Sequence, residues 1–103
     1  MKKRHPSSER FHQILKELGD LHDLKQSDYG SDADPFANVR AAEDFGLPGW
    51  VGGAIRMNDK MRRITKAGRT GPESLKFDSV QDDLRDMAVY AVICLVMLEE
   101  AGQ

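Results

Sequence analysis

The sequence predicts an all-α domain, a small four-helix, bundle-like fold. Two observations carry that reading. Apolar residues recur at helical spacing in separate stretches, and helix start and stop signals fall between them. Nothing reads as a convincing strand, although the apolar run AVYAVICLVML has some β propensity. The chain has 103 residues, 40% apolar and 31% charged, which suits one compact domain with one core. Residues 1–7 read as a flexible basic tail and 8–103 as a single helical domain.

The first helix is expected from Ser8 to Gln26, capped by Ser7 or Ser8. Phe11, Ile14, Leu15, Leu18 and Leu21 form its stripe. At about 100° per residue, His22, Lys25 and Tyr29 project along the same side, so its inward face turns polar toward the end. The loop after it, KQSDYGSDADPF, is rich in aspartate. Asp34-Pro35 then starts a short second helix, Phe36 to Phe45, that stops at Gly46.

The glycine-rich break GLPGWVGG follows, with Trp50 expected to anchor it to the core. The third helix is expected over Val51–Ala67, with Met57, Met61 and Ile64 as its stripe and Arg56, Asp59, Lys60 and Arg63 on the other side. The last begins at Ser79, where SVQD reads as a capping box, and runs to Glu99. Met87–Leu98 is apolar all round but too short to span a bilayer. A helix of that kind needs burial on every side, which predicts homo-oligomerisation through it.

Charge and cysteine content narrow the function. A net charge of −2 gives no global basic field, so direct nucleic-acid binding is not expected, and Lys2-Lys3-Arg4 reads as a solvated tail. No apolar segment follows that tail, so it is not the start of a signal peptide. The single Cys94 excludes an internal disulfide and a cysteine-based zinc site, and its apolar surroundings suit core packing. A cytoplasmic protein without a membrane partner is expected.

Three constellations have chemical potential. Asp28, Asp32 and Asp34 offer oxygen ligands near Lys25 and Tyr29, without the spacing of a calcium loop. Arg56, Lys60 and Arg63 form a basic face for phosphates with Asp59 among them, or an ordinary solvated face. Asp83, Asp86 and Tyr90 share one helix face, and Asp86 lies at the mouth of the apolar run. There a carboxylate is costly to bury without a cation or a donor. No catalytic triad, phosphate loop or dinucleotide fingerprint is present.

The stretches LHDLKQSDYGSDADPFANVR, FGLPGWVGGAIRMNDKMRRI and DDLRDMAVYAVI together resemble the nucleotide-modification-associated domain family of small phage and bacterial proteins. That resemblance implies a link to nucleotide metabolism or DNA base modification, in the host cytoplasm if the protein is phage-encoded. DDLRD is also similar to the second acidic helix of the MazG-type all-α nucleotide pyrophosphohydrolases, with Asp83 and Asp86 at its spacing. The first acidic cluster of those enzymes has no counterpart on the inward face here. The combined expectation is a nucleotide-binding protein. Lys25, Arg56, Lys60 and Arg63 would contact phosphates, and Tyr29 or Trp50 would stack on a base. Asp59, Asp83 and Asp86, with Asp28, would hold Mg²⁺, and the first three would serve a pyrophosphohydrolase reaction. The alternatives are a non-catalytic nucleotide-sequestering or accessory module and a structural assembly protein.

Overall fold

The computed structural model describes residues 3–29, 36–71 and 77–102, and their side chains except at 26–29, 77 and 78. Among these the chain is all-α. Helix α1 spans Pro6–Tyr29, a 3-10 helix η1 spans Arg40–Phe45, α2 spans Gly49–Thr70 and α3 spans Phe77–Glu100. No described helix is long and apolar enough to cross a membrane.

Several boundaries differ from expectation for local reasons. Helix α1 is capped by His5, not by a serine. The His5 carbonyl accepts the Ser8 and Glu9 N–H groups at 2.8 and 3.0 Å, and Nδ1 accepts the Ser7 N–H at 3.1 Å. Pro6 then takes the first helical position, where its missing N–H is harmless. Asp34-Pro35 lies outside the described residues. Past it, Phe36–Val39 is a turn that leads into the 3-10 helix, and Gly46 closes that helix at φ 76°. The GLPGWVGG stretch does not break the chain for long. Pro48 precedes α2, and Gly49, Gly52 and Gly53 are helical. Gly68 is also inside α2, which ends at Gly71 with φ 88°. Helix α3 starts two residues before Ser79, so the SVQD segment is helix interior and no capping box forms.

Both α1 and α2 run antiparallel to α3. Lys60 of α2 meets Asp86 while Gly53 faces Tyr90 and Cys94; Lys25 of α1 meets Asp86 while Leu15 and Leu18 line a cleft with Val92 and Val96. The core lies where the 36–45 segment, α2 and α3 converge. Phe36, Val39, Ile93 and Met97 are buried there, with Val89, Tyr90 and Val96 packed on them. Two glycines permit this approach. A Cβ on Gly52 would run into the Val39 carbonyl, and one on Gly53 would lie 2.5 Å from Cys94 Sγ. The Cys94 thiol donates to the Trp50 carbonyl at 3.3 Å, and burial pushes its pKa up, as befits a packing residue. The Trp50 side chain itself is exposed, so the anchoring is done by its backbone and the neighbouring glycines.

Helix α1 is held more loosely. Among the described residues its ties include the ring contact of His22 with Phe36 (5.7 Å between centroids), the Lys25–Asp86 ion pair and an open apolar cleft against α3. The radius of gyration is 15.8 Å; a compact domain of this length would have about 13 Å. Phe11, Leu15, Leu84, Val92 and Leu95 stay exposed.

Candidate functional site

The α2 stripe is rotated relative to the expected one. The residues turned toward α3 are Gly53, Met57, Lys60, Ile64 and Ala67, whereas Met61 is exposed. Lys60 is therefore not on a solvated face. Its stem follows the helix interface and its ammonium reaches two carboxylates on α3.

Asp83 and Asp86, one turn apart on α3, form the centre of the site. Asp83 is 2% exposed, the one buried charged residue among those described. Its Oδ2 accepts the Arg63 Nε–H at 2.9 Å, and its Oδ1 lies 3.7 Å from Lys60 Nζ. Asp86 Oδ1 accepts from Lys25 Nζ at 2.9 Å, and Oδ2 is 3.2 Å from Lys60 Nζ. Three helices thus supply one cluster: a lysine from α1, a lysine and an arginine from α2, two aspartates from α3. Burial pushes the Asp86 pKa up, but the hydrogen bonds from Lys25 and Lys60 outweigh it and hold the carboxyl below the usual range.

Five of the residues expected from sequence meet here: Lys25, Lys60, Arg63, Asp83 and Asp86. Two do not. Arg56 and Asp59 are exposed and make no ion pair among the described residues. Trp50 is ten residues along α2 from Lys60, roughly 15 Å at helical rise, so its side chain is not part of the cluster. Tyr90 is half-buried against the core. The side chains of Asp28 and Tyr29 lie outside the described ones, as do Asp32 and Asp34 altogether.

Among the described residues, Asp83 and Asp86 do not by themselves form the magnesium site expected of them with Asp59 and Asp28; Asp59 is exposed and apart from them, and the Asp28 side chain lies outside the described ones. A hard dication wants several oxygens free to coordinate it. Here all four oxygens of Asp83 and Asp86 already face a cation within 4 Å. No third carboxylate joins them among the described residues. What the described residues offer is three cations set around two carboxylates. Arg63 meets Asp83 through Nε, and its terminal nitrogens make no hydrogen bond among the described residues. The Arg63 and Lys25 side chains are 52% and 46% exposed, so both open to solvent.

A second ionic contact was not legible in the sequence. Arg40 in η1 donates to Glu100 at the end of α3 at 2.8 Å, with its guanidinium 6.0 Å from the Phe36 ring centroid. The partners are 60 residues apart, beyond any local spacing rule. It closes the end of the core opposite the cluster. Compared with known proteins, the chain matches no family model, no curated protein and no solved structure.

Proposed function

We propose that this protein is a nucleotide-binding module, taking the phosphates of its ligand on the open side of the Lys25–Lys60–Arg63 cluster and doing no chemistry on them. One observation supports the reading above the others. Three cations from two helices meet two neighbouring carboxylates, and the Arg63 guanidinium, bound through Nε, is half exposed to solvent. A guanidinium fork suits a phosphate, which it meets through paired hydrogen bonds. The two aspartates hold the cations in place. The role in nucleotide metabolism or DNA base modification implied by the sequence resemblance agrees with such a ligand.

A thermal-shift series with nucleoside mono-, di- and triphosphates, with and without Mg²⁺, tests this. Saturation at a hundred times Kd stabilises the folded protein by about 2.7 kcal/mol. The expected shift is independent of Mg²⁺ and is lost in Arg63→Gln. No shift with any nucleotide removes the proposal. Pyrophosphate release that requires Mg²⁺ and disappears in Asp86→Asn replaces it with the pyrophosphohydrolase reading.

A further inference from the structure

An apolar groove between α1 and α3 lies apart from the ionic cluster. It has a volume of about 350 Å³ and is lined by Leu15, Leu18, His22, Phe36, Val89 and Val92 among others. His22 is the only ionisable residue of its lining among the described residues. The groove continues onto the outer flank of α3, where Leu84 is 53%, Val92 54% and Leu95 60% exposed. It also continues along α1, where Phe11 is 59% and Leu15 46% exposed. At 100° per residue, Leu84, Ala88, Ala91, Val92 and Leu95 fall within one arc of α3 of about 100°. No charged side chain interrupts α3 between Asp86 and Glu99.

We propose that a second copy of this chain covers this surface, forming an isologous dimer in which the outer flank of α3 in each copy packs beside α1 of the other. Three points select that occupant. The groove lining calls for an apolar occupant, and the chain carries an apolar, solvent-exposed helix flank on its own α3. Groove and flank are contiguous on one face, so a two-fold axis can present each to its counterpart, which is the condition for a self-complementary interface. The area is also sufficient. At their stated exposures Phe11, Leu15, Leu84, Val92 and Leu95 leave roughly 500 Å² of surface per copy, on the scale of the apolar part of one side of an interface. A standard interface uses roughly 800 Å² per partner, a little over half of it apolar. The cluster of Lys25, Lys60, Arg63, Asp83 and Asp86 is not part of the interface, so the dimer stands or falls independently of the ligand.

Sedimentation velocity and light scattering on the full chain across a hundredfold concentration range test the proposal. The expected mass is twice the 11.5 kDa of one chain. Leu95→Glu and Phe11→Glu, both at exposed positions, each convert the protein to a monomer with its helical circular dichroism retained. Phe45→Glu, at an 83% exposed site on η1, leaves the dimer intact. A monomer at every concentration overturns the proposal, whether its groove stays empty or takes up a hydrophobic dye as a site for a foreign partner would. So does a dimer that survives both Leu95→Glu and Phe11→Glu, or one that Phe45→Glu dissociates.

Discussion

Two glycines of α2 should respond in opposite directions to one substitution, Gly→Ala. In a helix interior that change removes backbone freedom from the unfolded chain and gains about 1 kcal/mol where there is room. Gly68 has room: a Cβ there meets nothing within 4 Å. It lies in the last turn, where helical order is weaker, so Gly68→Ala should stabilise by about 0.5–1 kcal/mol. Gly52 has none. Its Cβ would strike the Val39 carbonyl oxygen and press on the Ala42 Cβ. The obstacle is backbone, in the turn whose Val39 is 3% exposed and whose amides close on Phe36. Relief means moving the 36–45 segment off α2. Overpacking of this kind costs about 1–3 kcal/mol, and a backbone obstacle belongs at the upper end. Set against the intrinsic gain, Gly52→Ala should lose about 2 kcal/mol. With an unfolding entropy of about 2.1 cal/mol/K per residue, each kcal/mol moves the Tm of a chain this long by about 5 °C. Gly52→Ala should melt about 10 °C below the wild type and Gly68→Ala about 2–5 °C above it. Urea unfolding followed by circular dichroism, at one protein concentration and with unchanged m, provides the check. A Gly52→Ala variant as stable as the wild type would refute the close approach of α2 to the 36–45 segment.

Two further predictions concern the cluster. Asp83→Ala leaves Lys60 and Arg63 without their buried acceptor. Removing one partner of a fully buried pair costs about 3–5 kcal/mol, but these cations can turn to water, so about 1–3 kcal/mol is expected in urea unfolding. Asp82→Ala, at a 70% exposed side chain, should stay within about 0.5 kcal/mol of the wild type; equal effects at the two positions would refute the burial of Asp83. The Asp86 carboxyl is held below its unfolded value, so its contribution is complete above about pH 4 and is lost as the pH falls through the folded value. Lys25→Met removes one of the two cations that depress it. Between pH 7 and pH 3 the urea midpoint of Lys25→Met should therefore fall less steeply than that of the wild type, and parallel curves would refute the Lys25–Asp86 bond.

Much of the fold was legible because it is local. The stripe of α1, the all-round apolarity of α3 and the stop at Gly46 follow from spacing and from the conformational needs of single residues. The facing of α2 was not. Hydropathy places Lys60 outward and Met61 inward, and the structure has the reverse. Lys60 is drawn in by Asp83 and Asp86, more than twenty residues away, and no property of α2 alone encodes that pull. The glycines of GLPGWVGG read as a break because glycine weakens an isolated helix. Here Gly52 and Gly53 allow α2 to approach Val39 and Cys94, a tertiary reason that only the partner surfaces disclose. The site was half legible on the same grounds. Asp86 stood out as a carboxylate at the edge of an apolar run, where it must find a donor. Its donors, Lys25 and Lys60, could be named as inward or basic but not paired with it. Arg56 and Asp59 carry the same sequence pattern as Lys60 and Arg63, and only the register of α2 against α3 separates them.

The position of α1 joins these observations. A helix of its length is marginal in water unless an apolar face is covered. Helices α2 and α3 cover each other along most of their length, with the core and Arg40–Glu100 at one end and the ionic cluster at the other. Helix α1 has the Lys25–Asp86 bond and the His22–Phe36 contact near its end, while Phe11 and Leu15 toward its start are open. An exposed ion pair contributes at most about 1 kcal/mol. Together with the apolar cleft that begins at Leu15, these described ties support the end of α1 more than its start, while conformational entropy is lost along the whole helix. Within a single chain, the start of α1 should therefore fray before α2 and α3 separate. In the proposed dimer, apolar surface from a second copy would cover Phe11 and Leu15 and add stabilisation at the start of α1. Hydrogen exchange separates the two cases: residues 11–18 should lose protection on dilution while residues 89–97 keep theirs. Protection of 11–18 that does not change with concentration would mean that α1 is held by its own chain alone.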